Sequence, residues 1–178
     1  MIMRRLLEKP SSKSLKIEII IGFVLCFVVI PIMQYYTDLS GFPAQIFSSQ
    51  LSFSGDLMKS YYSLTDIDNY RIAPLLDYIF MVGYGLILFS TALLIGRKFG
   101  PSSIVGLLCF IVALFGIIAA CCDGIENIFI LAMLTDPLNF PDWWAITHSI
   151  FASIKWILLF LVIIWIIIVG ITALFRKK

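Results

Sequence analysis

Four long apolar stretches most limit what this chain can fold into. They cover about residues 17–36, 73–95, 103–134 and 143–175 of a chain of 178 residues. An α-helix rises 1.5 Å per residue, so each stretch is long enough to cross roughly 30 Å of hydrocarbon. Lipid leaves backbone polar groups no partner except each other, and no alternating strand pattern is present. The predicted fold class is therefore all-α, a polytopic membrane four-helix bundle.

Composition supports the same class. Hydrophobic residues make up 61% of the chain and charged residues 13%, whereas soluble domains are nearer half apolar and a quarter charged. We therefore predict an integral membrane protein with a single domain over residues 1–178. The net charge of +2 reflects the membrane topology, because the basic residues lie mainly outside the apolar stretches. It does not indicate a nucleic-acid partner.

Basic residues indicate how the chain is oriented. Most lie before the first stretch, between the second and third, or after the fourth: Arg4, Arg5, Lys9, Lys13, Lys16, Arg97, Lys98, Arg176, Lys177 and Lys178. Only Lys59 and Arg71 fall in the first loop, and the third loop has none. The positive-inside rule then predicts both termini in the cytoplasm. The first stretch has no small-x-small cleavage site, so we expect a retained helix and not a signal peptide.

The first loop, residues 37–72, is predicted to be extracytoplasmic and long enough to have its own structure. Ser54 is a candidate helix N-cap, and Asp56 falls in the following turn. Apolar and aromatic residues follow at helical spacing: Leu57, Met58, Tyr61 and Tyr62. We predict a short amphipathic helix that lies in the membrane interface or covers a cavity, and the interfacial role is favoured.

Counting from the cytoplasmic ends of the helices gives each charge a height. Gly100 and Pro101 are expected to end the second helix, and Ser102 or Ser103 to cap the third. Asp77 lies 20 residues from Arg97, Asp123 lies 21 from Ser102, and Lys155 lies 21 from Arg176. That places all three at one level, about 30 Å up at the outer boundary of the hydrocarbon. A charge there avoids the cost of at least ~2.5 kcal/mol expected at the bilayer centre.

Helical spacing predicts which polar side chains face one another. On the third span, Asp123 and Asn127 continue a stripe of small residues, and Gly116, Ala120 and Gly124 would allow close helix approach. Asp123 and Glu126 are three residues apart and project to overlapping sides. If these faces converge with those of spans two and four, seven residues form a candidate ligand-binding site: Asp77, Tyr84, Asp123, Glu126, Asn127, His148 and Lys155.

The charges of this site do not balance. Lys155 neutralises one of the three acids, so the others need Arg71, a bound cation or a proton.

Structural roles for the same residues remain open. Glu126 and Lys155 could form an ion pair that fixes helix register, Asp77 could cap the second helix, and His148 could face lipid headgroups. A metal site from Cys121, Cys122, Asp123 and His148 is not expected, because adjacent cysteines on a helix diverge and zinc spacing is missing. The sequence has no nucleotide, haem or Cys-x-x-Cys motif, so no cofactor is predicted.

Three segments carry a resemblance: "LLDYIFMVGYGLIL", "DGIENIFIL" and "SIFASIKWILL". Over about residues 73–165 the chain resembles a group of small, largely uncharacterised four-helix membrane proteins, mostly bacterial, with a D-x-x-E-N signature in the third helix. That resemblance implies a bacterial inner membrane and places a site at Asp123, Glu126 and Asn127, but implies no chemistry. In architecture alone the chain is similar to the emopamil-binding class of sterol isomerases and lipid-binding receptors, whose characteristic histidine and glutamates do not map here.

Three functions fit these features. The favoured one is binding or transport of an amphipathic or cationic small molecule, with acids as counter-ions and aromatics around the apolar part. The second is a structural or assembly subunit that binds copies of itself or partner helices of a membrane complex. The third is a lipid-modifying or isomerising enzyme, in which one carboxyl is the acid and Lys155 stabilises negative charge. Membrane lipids are expected partners of all three.

Overall fold

The computed structural model describes residues 9–100 and 102–175. Arg4, Arg5, Pro101, Arg176, Lys177 and Lys178, which the orientation and turn arguments used, lie outside this part. Within it the chain forms seven helices and no strand: α1 (Ser12–Ser40), α2 (Ile46–Gln50), α3 (Gly55–Tyr62), α4 (Ile67–Tyr70), α5 (Ile72–Phe99), α6 (Ile104–Met133) and α7 (Asp142–Phe175).

Four of these segments are long and apolar enough to cross a membrane: α1, α4 with α5 (Ile67–Phe99), α6, and α7. The predicted four-span, all-α fold of an integral membrane protein is confirmed. The first helix extends beyond its predicted apolar stretch, 17–36, to the residues that cap it. Ser11 accepts a hydrogen bond from the N–H of Ser14 to begin α1, and Gly41, at φ +67°, ends it in the left-handed conformation that glycine adopts without strain. Ser103 caps α6 as predicted.

The bundle has two distinct ends. We call the end that carries residues 41–66 and 134–141 the loop end, and the end with Ser12, Phe99 and Phe175 the terminal end. Consecutive spans pack together: α1 on α5, α5 on α6, and α6 on α7. The first and last spans, α1 and α7, do not pack along each other. The bundle is therefore open between α1 and α7.

Glycines allow the closest of these contacts. A Cβ on Gly83 would lie 2.8 Å from Cys26 Sγ, and one on Gly22 would lie 2.5 Å from the Gly83 carbonyl oxygen. The small-residue stripe of α6 is also used within the chain, because Gly116 faces Leu88 of α5. A surface already occupied by α5 gives no support to the assembly-subunit alternative.

The predicted amphipathic helix is α3, and Ser54 caps it by accepting the N–H of Leu57. Met58 and Tyr62 are buried against the loop ends of α6 and α7, in a cluster with Ile130, Met133 and Phe140. Burial raises the pKa of the Tyr62 phenol well above its ordinary value. The favoured interfacial role for this helix is therefore wrong: its apolar face covers the end of the bundle.

The remainder of the first loop is tied down by Asp66. Its N–H donates to the Ser40 carbonyl at the end of α1 (2.8 Å), and its carboxylate caps α4. Hydrogen bonds from Asn69, first from the backbone and then from the side chain, hold the pKa of Asp66 below its ordinary value. The loop thus returns to the bundle before the second span begins.

Candidate functional site

A buried ion cluster joins α6 to α7 near the loop end. Lys155 Nζ lies 2.9 Å from Asp123 Oδ1 and 2.6 Å from Glu126 Oε2. All three side chains are at most 4% exposed. The contact between Asp123 and Lys155 shows that they share a level, as the count along the helices predicts. Where water is excluded to this extent, an ion pair is stable only when both charged groups have partners.

The second span joins the cluster through hydrogen bonds. Tyr84 donates its hydroxyl to Asp123 Oδ2 (2.9 Å), and Asn127 Nδ2 donates to Asp77 Oδ2 (2.6 Å). Asp77 and Asp123 are also close enough to interact electrostatically. The capping role considered for Asp77 is wrong, because α5 begins at Ile72 and Asp77 lies more than a turn inside it.

Glu126 and His148 form the deepest part of the cluster. His148 Nε2 lies 3.6 Å from Glu126 Oε1, too far for a hydrogen bond. Glu126 is fully buried, and neither of its oxygens has a partner of hydrogen-bond geometry among the described residues, although Lys155 is in ionic contact. His148 is 1% exposed, and its Nδ1 has no hydrogen-bond partner there. The headgroup-facing role considered for His148 is therefore wrong.

Arg71 does not supply the missing positive charge. Its Nη2 donates to the Leu134 carbonyl (2.9 Å), and its Nη1 lies 3.7 Å from Asp68 Oδ1. Both contacts are outside the cluster. The prediction that Arg71 could balance the acids is thus wrong. Its guanidinium instead donates to the Leu134 carbonyl at the C-terminal end of α6.

A cavity of about 860 Å³ opens beside the cluster. Six of the seven predicted site residues line it: Asp77, Tyr84, Asp123, Asn127, His148 and Lys155. Glu126 does not line it, and reaches it only through its contact with Lys155. The volume is in the range of sites that hold small ligands.

The cavity has a polar end and an apolar flank. The buried carboxylates, an amide and the ammonium group gather on α5, α6 and α7, and α1 adds Gln34, Thr37 and Asp38 near the loop end. Farther toward the terminal end the lining is apolar, with Ile30 and Met33 of α1 and Leu159 and Ile163 of α7. Aromatic rings of Phe42 and Phe80 line it as well. This division of the wall suits a ligand with a charged head and an apolar body.

Sequence reasoning missed the residues that close the cavity toward the loop end. Trp156 of α7 donates its indole N–H to Gln50 Oε1 (2.8 Å), and its ring lies 4.6 Å from that of Phe47. All three line the cavity. Trp156, beside Lys155, could have been suspected. Nothing in the pattern of residues 41–50 indicates that α2 would meet it.

The described residues contain no group of three or more His, Cys, Asp or Glu side chains placed to hold a metal ion. Cys121 is exposed on the outside of the bundle, whereas Cys122 is buried. The contacts that hold the cluster are the ion pairs of Lys155 and the hydrogen bonds from Tyr84 and Asn127.

Comparison of the chain with protein-family models, with curated proteins and with solved structures gave no match. Any functional conclusion has to come from the site itself.

Proposed function

We propose that this membrane protein binds a small amphipathic molecule with a cationic group, either to hold it or to transport it. The observation that carries this proposal is the charge balance at the cavity. Three acids, Asp77, Asp123 and Glu126, gather around Lys155, and Arg71 is engaged elsewhere. A ligand cation would supply the charge that the chain does not.

Asp77 is the best placed counter-ion. Lys155 is already shared by Asp123 and Glu126, whereas the hydrogen-bond donor to Asp77 is the neutral amide of Asn127. Asp77 also lines the cavity, so a ligand ammonium can reach it. Tyr84 and Phe80 lie on the same wall and would add the attraction of aromatic faces for a cation.

We further propose that the loop end is extracytoplasmic, that both termini are cytoplasmic, and that the membrane is a bacterial inner membrane. The positive-inside distribution of lysine and arginine supports the orientation. The resemblance through the D-x-x-E-N signature supports the membrane assignment. Its three residues, Asp123, Glu126 and Asn127, all belong to the buried cluster.

Equilibrium binding to the protein in lipid nanodiscs tests the proposal. The probes are dodecylamine, dodecanol and dodecanoate, which share a chain length and differ in head charge, and empty nanodiscs correct for partition into lipid. We expect the amine to bind at least tenfold more tightly than the other two. The variant Asp77→Asn should remove most of that preference while the protein stays folded, because its amide keeps the shape of the carboxylate.

The matched control is Asp38→Asn, which lies on the cavity rim and is held by Gln34 instead of by the cluster. It should keep the preference for the amine. Equal binding of the three probes to the unmodified protein would contradict the proposed function.

A further inference from the structure

We propose that the ligand is a resident of the bilayer, a long-chain lipid amine. It enters sideways between α1 and α7, and its chain lies against Ile30, Met33, Leu159 and Ile163. This inference rests on the proposed function and names its substrate class and its route. It follows from where the cavity is open, how far it extends along the helices, and what covers it.

The cavity opens where the bundle is unsealed. The first and last spans do not pack along each other, and each contributes apolar side chains to the cavity. Ile30 is 50% exposed and Ile163 is 43% exposed although both line the cavity. Both lie along the gap between α1 and α7, which no packing between these two spans closes. The cavity is therefore continuous with the part of the membrane that holds lipid chains.

The apolar part of the cavity runs lengthwise. On α7 its lining extends from Lys155 to Ile163, eight residues or about 12 Å toward the terminal end. On α5 it extends from Asp77 to Leu88, eleven residues or about 16 Å in the same direction. The charged groups thus lie at the loop-end side of this apolar slot, and the cavity continues past them to Ala73, Ile130 and His148. A head bound at Asp77 would leave its chain aligned with those of neighbouring lipids.

The loop end of the cavity is covered. Residues 42–50 contribute Phe42, Ala44, Gln45, Ile46 and others to its wall, and α2 is fastened to α7 through Gln50, Phe47 and Trp156. This cover is partial, because Ile46 is 63% and Phe47 50% exposed. On the side toward lipid, by contrast, α1 and α7 do not pack along each other. The side of the cavity that lies toward lipid is therefore the natural entrance.

A tryptophan in the slot tests this inference. Ile163→Trp should block the apolar part, whereas Ile164→Trp, at the next position of α7, makes the same change on a residue that is 54% exposed and does not line the cavity. We expect Ile163→Trp to weaken binding of hexadecylamine in nanodiscs at least tenfold. The Ile164→Trp protein should bind it as the unmodified protein does.

Photolabelling of the unmodified protein gives a second, independent measurement. Hexadecylamine with a diazirine near the end of its chain should label the α1 and α7 peptides that contain Ile30, Met33, Leu159 and Ile163. Excess unlabelled hexadecylamine should suppress that labelling. Labelling spread evenly over lipid-facing positions such as Ile117 and Ile118 of α6, without competition, would overturn the inference, as would equal weakening by both tryptophan variants.

Hexadecanol separates this inference from the proposed function. If it binds as tightly as the amine and Ile163→Trp still excludes it, the charge preference fails while the lateral route stands. If the amine is preferred but neither tryptophan variant weakens it, the route fails while the proposed function stands.

Discussion

Lys155 is the residue on which the buried cluster depends. It contacts Asp123 and Glu126 at once, and the described residues bring no second lysine or arginine into the cluster. Within residues 9–100 and 102–175, the groups near enough to offset the charge of Glu126 are Lys155 and, at 3.6 Å, His148. The ammonium is thus placed to hold α6 and α7 in register, whatever else the site does.

Replacing this ammonium should destabilise the fold. In Lys155→Met two carboxylates lose their only cation while buried, a change that costs about 3–5 kcal/mol. The control is Lys59→Met, which breaks the exposed pair of Lys59 with Asp142 and should cost less than about 1 kcal/mol. Reversible unfolding in mixed micelles would measure both. Equal losses for the two variants would show that the cluster contributes nothing special to stability.

At the scale of elements, glycines let the backbones of neighbouring spans approach closely, where other helix pairs interlock large side chains. Gly83 and Gly22 bring α1 against α5, and Gly116 brings α6 against α5 from the other side. In lipid, where apolar side chains gain little from leaving their surroundings, such close approach is a main source of helix association. The central span α5 therefore depends on small residues on both of its faces.

A single methyl group tests this dependence. Gly83→Ala would place a Cβ 2.8 Å from Cys26 Sγ and 3.0 Å from the Gly22 carbonyl oxygen, so we expect a loss of about 1–3 kcal/mol from overpacking. Gly170→Ala makes the same change where the nearest atom is Ile95 Cδ1 at 3.4 Å. That variant should be neutral or gain up to about 1 kcal/mol from helix propensity. Thermal unfolding in detergent would reveal the contrast, and two equally stable variants would refute it.

The helices could be predicted from the sequence more fully than the cavity between them. Hydropathy and capping residues locate all four spans and α3, and the count along each helix brings Asp77, Asp123 and Lys155 to one level. These signals are local. The cavity depends on which two spans fail to pack, and the destination of Arg71 depends on a free carbonyl at Leu134. Both are set by tertiary geometry that helical periodicity does not contain.

At the scale of the whole molecule, orientation decides which side of the membrane the loop end faces. The turn at Lys98 belongs to the terminal end, and the exposed Leu138 belongs to the loop end. Among the described residues, Lys13, Lys16, Arg97 and Lys98 lie at the terminal end, and the proposed topology places that end in the cytoplasm.

Cysteine labelling of intact cells checks this orientation. In a background with Cys26, Cys109, Cys121 and Cys122 replaced by alanine, Leu138→Cys should react with a membrane-impermeant maleimide added outside. Lys98→Cys should react only after the cells are permeabilised. The reverse pattern would place the loop end in the cytoplasm and refute the proposed topology.

Because each span packs on the one before it and the last does not return to the first, docking can follow the order of synthesis. Every newly inserted span after the first finds a neighbouring span already in place, and Asp123 and Glu126 of α6 gain their cation when α7 brings Lys155. Assembly of this kind relies on neighbours in the chain, which favours rapid folding. The same arrangement means that assembly needs no closing contact between the first and the last span.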